Sequence, residues 1–321
     1  YFIKPSAPFA SINFTTAPPE GDSNVVITVP LTSDAEKGDR ERIFKSRHAI
    51  TFGGNNNSRL FLAGGGDSKY FYSDSYDATY FPEKNWATLG NSEYDIEGFG
   101  LQYNVLIIFK PNEMYSFSYY TQSSNTTTNE EEYGVGAFTT AIINDQIGCD
   151  VPGSIQLIHN QLVWANTKKG IYVLNSTNIH DERNVRPISR NIEGGIRTNG
   201  ILEENGLQFA KSVEWDKKYF LSVNGNCYMW DYNIAIYYNT GKADNDAKRL
   251  SWFKFDNWNA SEYITIGSDL YFVVGNKICT LKAGIYNDFG EPIRAVYQTP
   301  LFQFGAQAYL KTIKNVYIQC R

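Results

Sequence analysis

Short apolar runs recur along the chain about every ten residues, separated by clusters of Asn, Gly and Asp. Runs of roughly four to eight residues bounded by such turn formers read as β-strands, and the spacing of about 3.6 that marks an amphipathic helix is hard to find. One arrangement repeats at longer range: a polar turn, a short apolar strand, a second polar turn, then an apolar or aromatic strand. Its copies are NNNSRLFLAGGGDSKYFYSD, LQYNVLIIFKPNEMYSFSYY, LIHNQLVWANTKKGIYVLNS, EWDKKYFLSVNGNCYMWDYN and TIGSDLYFVVGNKICTLKAG. Anchored on Leu60, Leu106, Leu162, Tyr219 and Leu270, they step by 46, 56, 57 and 51 residues.

Each step is close to the length of one four-stranded propeller blade, roughly 40 to 50 residues. A β-sandwich has turns every 8 to 12 residues or so, without this longer period. Each hairpin is also apolar on both faces, and sheets stacked radially cover both while leaving only short edges. The pattern therefore predicts an all-β chain, a β-propeller of five blades with six as the alternative count, and extra strands at the termini. Trp164, Trp215, Trp230 and Trp252 fall in or beside these strands, where packing between blades is their expected role. The one helix candidate is Ser33 to Arg47, where Ser33 and Glu36 have capping-box spacing; Gly38 and the DRER charge run fit a solvated turn equally well.

Three regions follow. Residues 1–46, with KPSAPF and TAPPEGD, read as a linker or the tail of a preceding domain plus a first strand. Residues 47–290 form the propeller. Residues 291–321 hold two further strand-like runs, Arg294 to Phe304 and Lys311 to Cys320, which either close the ring or begin another domain. The chain opens on Tyr1 with no initiator Met and no charged leader before an apolar run, so it reads as a fragment.

Composition narrows the function. The 23 Tyr and 20 Phe suit strands, and a net charge of −5 with no basic block argues against a dedicated nucleic-acid binder. The longest apolar stretches, Val105 to Phe109 and Ile234 to Tyr238, are far short of the roughly 20 residues of a spanning helix. Cys149, Cys227, Cys279 and Cys320 lie dozens of residues apart with no CxxC pair, which predicts free, mostly buried thiols.

Candidate chemistry is sparse. His48, His159 and His180 stand in separate blades with no second ligand three or four residues on. Gly241-Lys242 lacks the earlier Gly and the following Ser or Thr of a phosphate loop. Gly64-Gly65-Gly66 lies between two strands and so is a hairpin turn, not a dinucleotide cradle. Asp244-Asn245-Asp246 and Glu130-Glu131-Glu132 do not follow the calcium-loop pattern and read as surface loops. Ser73 to Phe81 faintly matches the Asp-box turn of sialidase propellers, with Thr79 where Gly belongs and Pro82 where Trp belongs. Five N-x-S/T sequons are near chance for so Asn-rich a chain. The sequence thus nominates no catalytic, cofactor-binding or metal-binding residue, and the expectation is a protein that is not an enzyme and needs no cofactor.

Three stretches read in order carry a resemblance. RLFLAGGGDSKYFYSDSYDATYFPE (Arg59 to Glu83), VLIIFKPNEMYSF (Val105 to Phe117) and IGCDVPGSIQLIHNQLVWANTKKGIYVL (Ile147 to Leu174) are similar to successive blades of tailed-bacteriophage virion proteins with a β-propeller. That family includes head-to-tail connector components called tail or packaged-DNA stabilisation proteins. The resemblance continues through ISRNIEG (Ile188 to Gly194) and the YFLSVNGNCYMWDYN hairpin, covering about Arg47 to Lys282; Pro111 departs from the Glu-Asn turn expected there. It implies a non-enzymatic structural component of a phage tail or neck, located in the virion after assembly in the bacterial cytoplasm. Partners would be other tail or neck subunits, with neither membrane nor sequence-specific nucleic acid. A carbohydrate-binding or glycosidase propeller is the alternative, since Tyr-rich rims stack sugars as well as proteins. Contacts are expected from two long polar loops, Ser123 to Tyr133 and Gly241 to Arg249. The chain alone is expected to be a monomer, because a closed ring covers its own apolar faces.

Overall fold

The computed structural model describes residues 34–54, 56–66, 68–82, 85–122, 135–177, 184–195, 199–232, 251–258, 260–281, 285, 287–288, 290–296 and 312. They fall into two compact units, Tyr1–Thr280 and Leu281–Arg321. Among the described residues of the first, one α-helix, α1 (Asp34–Lys45), precedes nineteen strands and three short 3-10 turns. The helix forms in spite of Gly38, and its last turn carries Arg42 and Lys45, where basic side chains complement the C-terminal dipole.

The strands follow one another as five antiparallel sheets, each a simple up-and-down meander. Sheet 1 holds β1 (His48–Phe52), β2 (Arg59–Ala63), β3 (Lys69–Tyr72) and β4 (Trp86–Thr88). Sheet 2 holds β5 (Gly98–Gln102), β6 (Val105–Phe109), β7 (Met114–Gln122) and β8 (Val135–Asn144). Sheet 3 holds β9 (Gln156–Ile158), β10 (Gln161–Asn166), β11 (Gly170–Leu174) and β12 (Val185–Pro187). Sheet 4 holds β13 (Lys211–Trp215), β14 (Lys218–Val223), β15 (Asn226–Asp231) and β16 (Ser251–Phe255). Sheet 5 has three described strands, β17 (Ala260–Ile266), β18 (Asp269–Val274) and β19 (Lys277–Thr280). In the second unit only a short pair is described, β20 (Asn287–Asp288) with β21 (Glu291–Pro292).

The five anchors of the sequence repeat, Leu60, Leu106, Leu162, Tyr219 and Leu270, all lie on the second strand of a sheet. Tight turns set the registers. Gln102 pairs Val105 across Tyr103-Asn104, Ile158 pairs Gln161 across His159-Asn160, and Trp215 pairs Lys218 across Asp216-Lys217. Both residues of each turn have positive φ, the geometry whose twist matches two antiparallel strands. The turn at Pro111 is a four-residue connection closed by Lys110 N–H donating to the Glu113 carbonyl at 2.9 Å.

Successive sheets pack face to face, first strand beside first strand: β1 against β5, β5 against β9, β9 against β13 and β13 against β17. Side-chain alternation divides the second strands of sheets 2, 3 and 4 between two layers. Leu106 and Ile108 face sheet 1, while Ile107 and Phe109 face sheet 3. Leu162 and Trp164 face sheet 2, while Val163 and Ala165 face sheet 4. Tyr219 and Leu221 face sheet 3, while Phe220 faces sheet 5. The result is four separate hydrophobic layers between five sheets, which is the blade packing of a β-propeller. Trp164, Trp230, Trp252 and Trp215 all lie in or against these layers, and Cys149, Cys227 and Cys279 are free and buried.

Arg294 to Phe304 and Lys311 to Cys320, the runs considered for closing the ring, lie almost wholly outside the described residues. Among the described residues no hydrophobic layer joins sheet 5 to sheet 1, and no strand of one packs substantially on a strand of the other. The described sheets form an array with two ends.

Candidate interaction surface

The residues first considered for chemistry are dispersed. His48 opens β1, His159 sits in the β9–β10 turn against the ring of Tyr232, and His180 lies outside the described residues. Glu130 to Glu132, Gly241-Lys242 and Asp244 to Asp246 lie outside them too, as do both loops expected to make contacts. Among the described residues no group of three or more His, Cys, Asp or Glu side chains is placed to hold a metal ion. No described helix is long and apolar enough to cross a membrane. In the Asp-box-like stretch, the Asp77 carboxylate accepts the N–H and the hydroxyl of its own Thr79, at 3.0 and 2.6 Å, so it caps a local turn.

The stretches that carry the family resemblance serve as fasteners between sheets. Residues 147–155 run from sheet 2 into sheet 3. Cys149 N–H donates to the Lys110 carbonyl at 2.9 Å, and Trp164 Nε1 donates to the Gly148 carbonyl at 3.1 Å. Asn166 Nδ2 donates to Pro111 O at 3.0 Å, and Asp150 accepts both the N–H and the hydroxyl of Thr167 at 2.8 and 2.5 Å. At the far end Ser154 Oγ accepts Ala165 N–H at 2.7 Å, while Tyr219 and Ser212 of sheet 4 donate to Ser154 O and Gly153 O. Burial pushes the Cys149 thiol up to about 12, so this cysteine is inert packing and no nucleophile.

ISRNIEG does similar work. Ser189 Oγ accepts Ile171 N–H at 2.8 Å and donates to Glu193 Oε1 at 2.7 Å, and Trp252 Nε1 of sheet 4 donates to the Ile188 carbonyl. Nearby, the Glu204 carboxylate takes Tyr228 OH at 2.7 Å, Asn226 Nδ2 at 2.9 Å and Lys254 Nζ at 3.2 Å. Burial alone would raise its pKa, but the bonds from Tyr228 and Lys254 outweigh it and hold the carboxyl below its ordinary value. Lys110 is buried, with Nζ donating to the Leu89 and Asn91 carbonyls. Burial depresses its pKa, opposed by Glu113 and Asp95. The bonds from Lys110, Trp164, Asn166, Tyr219 and Trp252 hold the connections between sheets 1 and 2, 2 and 3, and 3 and 4 against neighbouring strands and turns.

The surface that stands out is the outer face of sheet 5. Tyr263, Leu270 and Phe272 point into the layer shared with sheet 4. The register puts Ile264 opposite Tyr271, Val273 opposite Ile278 and Ile266 opposite Asp269, all on the other face. Ile264 is 58% exposed, Ile266 61% and Ile278 78%. The corresponding positions in sheets 2, 3 and 4 are buried within a layer. Sequence reasoning treated this strand pair as one more blade and missed the face, because an apolar residue looks the same whether or not a neighbour covers it.

No family model matches the chain, and no curated protein does. Among solved structures the chain is similar to PorZ, an essential bacterial surface component of the type-IX secretion system of Porphyromonas gingivalis. The identity is 13% and the TM-score 0.34, over 76% of this chain and 26% of PorZ, so the chain spans about a quarter of that protein's length.

Proposed function

We propose that this chain is a non-enzymatic structural component of a bacteriophage tail or neck, its propeller serving as a rigid protein-interaction module. The observation that carries this reading is where the family-like stretches fall. IGCDVPGS and ISRNIEG lie where consecutive sheets are bonded together: Asn166 of sheet 3 donates to Pro111 O beside sheet 2, Tyr219 and Ser212 of sheet 4 donate to Ser154 O and Gly153 O, and Trp252 of sheet 4 donates to Ile188 O. Stiffness between blades is what a part that transmits load between neighbouring subunits requires, and loops carried on a stiff frame are free to vary with the partner.

The test is mass spectrometry of density-purified virions from cells that make this protein. Stoichiometric recovery with the tail and portal proteins is the expected result. Recovery solely in the soluble lysate, from cells shown to release intact virions, overturns the proposal.

A further inference from the structure

We infer that β8, the outer strand of sheet 2, is the edge through which two copies of this chain join, β8 of one copy pairing antiparallel with β8 of the other. Among the described residues no strand pairs on its outer side. An unpaired edge is a template for another strand, and proteins commonly blunt it by shortness, charge or proline. The other outer edges are blunted in these ways. β4 and β12 have three residues each, β12 with Arg186 and Pro187; β16 has five with Lys254, and β19 has four with Lys277. β8 has ten residues, Val135–Asn144, with neither a charged residue nor a proline. Its pairing with β7 is regular from Val135 to Ile142, and a register shift sets Ile143 aside only at the far end.

Length makes the edge available, and composition selects the occupant. Neither the nine residues of β7 nor the ten of β8 include Asp, Glu, Lys, Arg or His, in a chain of which 20% is charged. Charge complementarity, which selects unlike partners, has nothing to act on here, and two copies of a chain of net charge −5 meet at this edge without like-charge repulsion. Successive side chains point to opposite faces, so a strand paired antiparallel with its own copy across a two-fold axis sets one residue opposite itself. Thr139 is exposed and stands near the middle of the regular stretch, with Gly136 and Ile142 three residues to either side. Its neighbour on β7 is Ser118, also exposed. With Thr139 on the axis, the row across the joined sheets reads Ser118, Thr139, Thr139, Ser118, four hydroxyl residues on one face. Cross-strand Thr–Thr and Thr–Ser pairs are favourable neighbours of this kind.

A single strand edge buries well under the roughly 800 Å² per partner of a stable standard interface, so the dimer should be weak, with a dissociation constant of about 10 to 500 μM. Light scattering on the full chain across that range should show the mass climbing from that of one chain toward that of two. Thr139→Lys, which sets two ammonium groups against each other on the axis, should weaken the dimer at least tenfold. A covalent readout keeps the test independent of any loss of stability. In a Cys320→Ser background, Thr139→Cys oxidised with copper phenanthroline should give mostly disulfide-linked dimer, because opposed Cα atoms of antiparallel strands lie about 4.5 to 5.5 Å apart, within disulfide reach. Thr140→Cys, which this register sets opposite Phe138, should cross-link at least tenfold more slowly. A mass of one chain at every concentration in the range overturns the inference. So does a dimer untouched by Thr139→Lys, which would assign association to another surface such as the outer face of sheet 5, and so does equal cross-linking of the two cysteine variants.

Discussion

His48 shows how one side chain can make the fold sensitive to acid. Its Nε2 is buried without a hydrogen-bond partner, its ring lies over Gly64, and the Asp95 carboxylate that acts on it is already occupied, accepting Gly66 N–H and Ile96 N–H. Burial lowers its pKa, the Arg47 guanidinium lowers it further, and Asp95 opposes both. The unfolded chain therefore takes up a proton at this imidazole near its ordinary value of about 6.5, while the folded chain resists until lower pH. Stability from this group is present above about pH 6.5 and is lost as the pH falls through the folded value. Glu97 acts with the opposite sign, because burial raises its carboxyl pKa and its contribution grows toward acid. Comparing urea midpoints of the unsubstituted chain and His48→Gln between pH 7 and pH 5 separates the two: the loss on acidification should be smaller in the variant. Equal losses would remove His48 from the account. None of this was legible in the sequence, where His48 is one isolated imidazole and the closing of its pocket by Gly64 depends on a strand pairing fifteen residues away.

At the scale of elements, the strands and their turns were readable and the fasteners between them were not. Asn104, Asn160 and Gly225 mark turns by residue type alone, since Asn and Gly tolerate positive φ, and the unbroken apolar run VLIIF follows from a strand buried on both faces. The role of residues 147–155 is different, because it depends on tertiary proximity. A methyl group at Gly148 would collide with the Lys110 carbonyl and with the backbone nitrogens of Asn112 and Glu113, all backbone atoms that cannot swing aside. Gly195, by contrast, has open space around the position of a Cβ. Gly148→Ala should destabilise the chain by about 3 kcal/mol or more, and Gly195→Ala should stay within about 0.5 kcal/mol, measured by chemical denaturation. A near-neutral Gly148→Ala would mean that sheets 2 and 3 are not clamped there. The helix was balanced against a solvated turn in the sequence because Gly38 and the charge run pull against the capping signal, and the structure decides for α1.

For the whole molecule, the repeat spacing of about 50 residues was enough to number the sheets, whereas whether the last meets the first is a matter of accumulated twist that no local pattern encodes. The expectation of a monomer rested on a closed ring, and the face that bears on it is the outer side of sheet 5, where Ile264, Ile266 and Ile278 are exposed. Since the described strands of each sheet pack chiefly on those of its sequence neighbours, stability should decline toward the ends of the described array. Three thiols report on it from inside: Cys279 in sheet 5, Cys227 in the layer between sheets 4 and 5, and Cys149 in the layer between sheets 2 and 3. With Cys320 replaced by Ser, labelling by a thiol reagent at neutral pH should proceed in the order Cys279, Cys227, Cys149. Simultaneous labelling of all three would show one cooperative unit instead. The same one-dimensional construction bears on how such a chain can change over generations. A sheet that buries its two faces against its two neighbours is a self-contained coding unit of about 50 codons. An in-frame duplication or loss of that unit creates one new junction between surfaces already selected to fit their own kind, so blade number can drift while the individual blade is preserved.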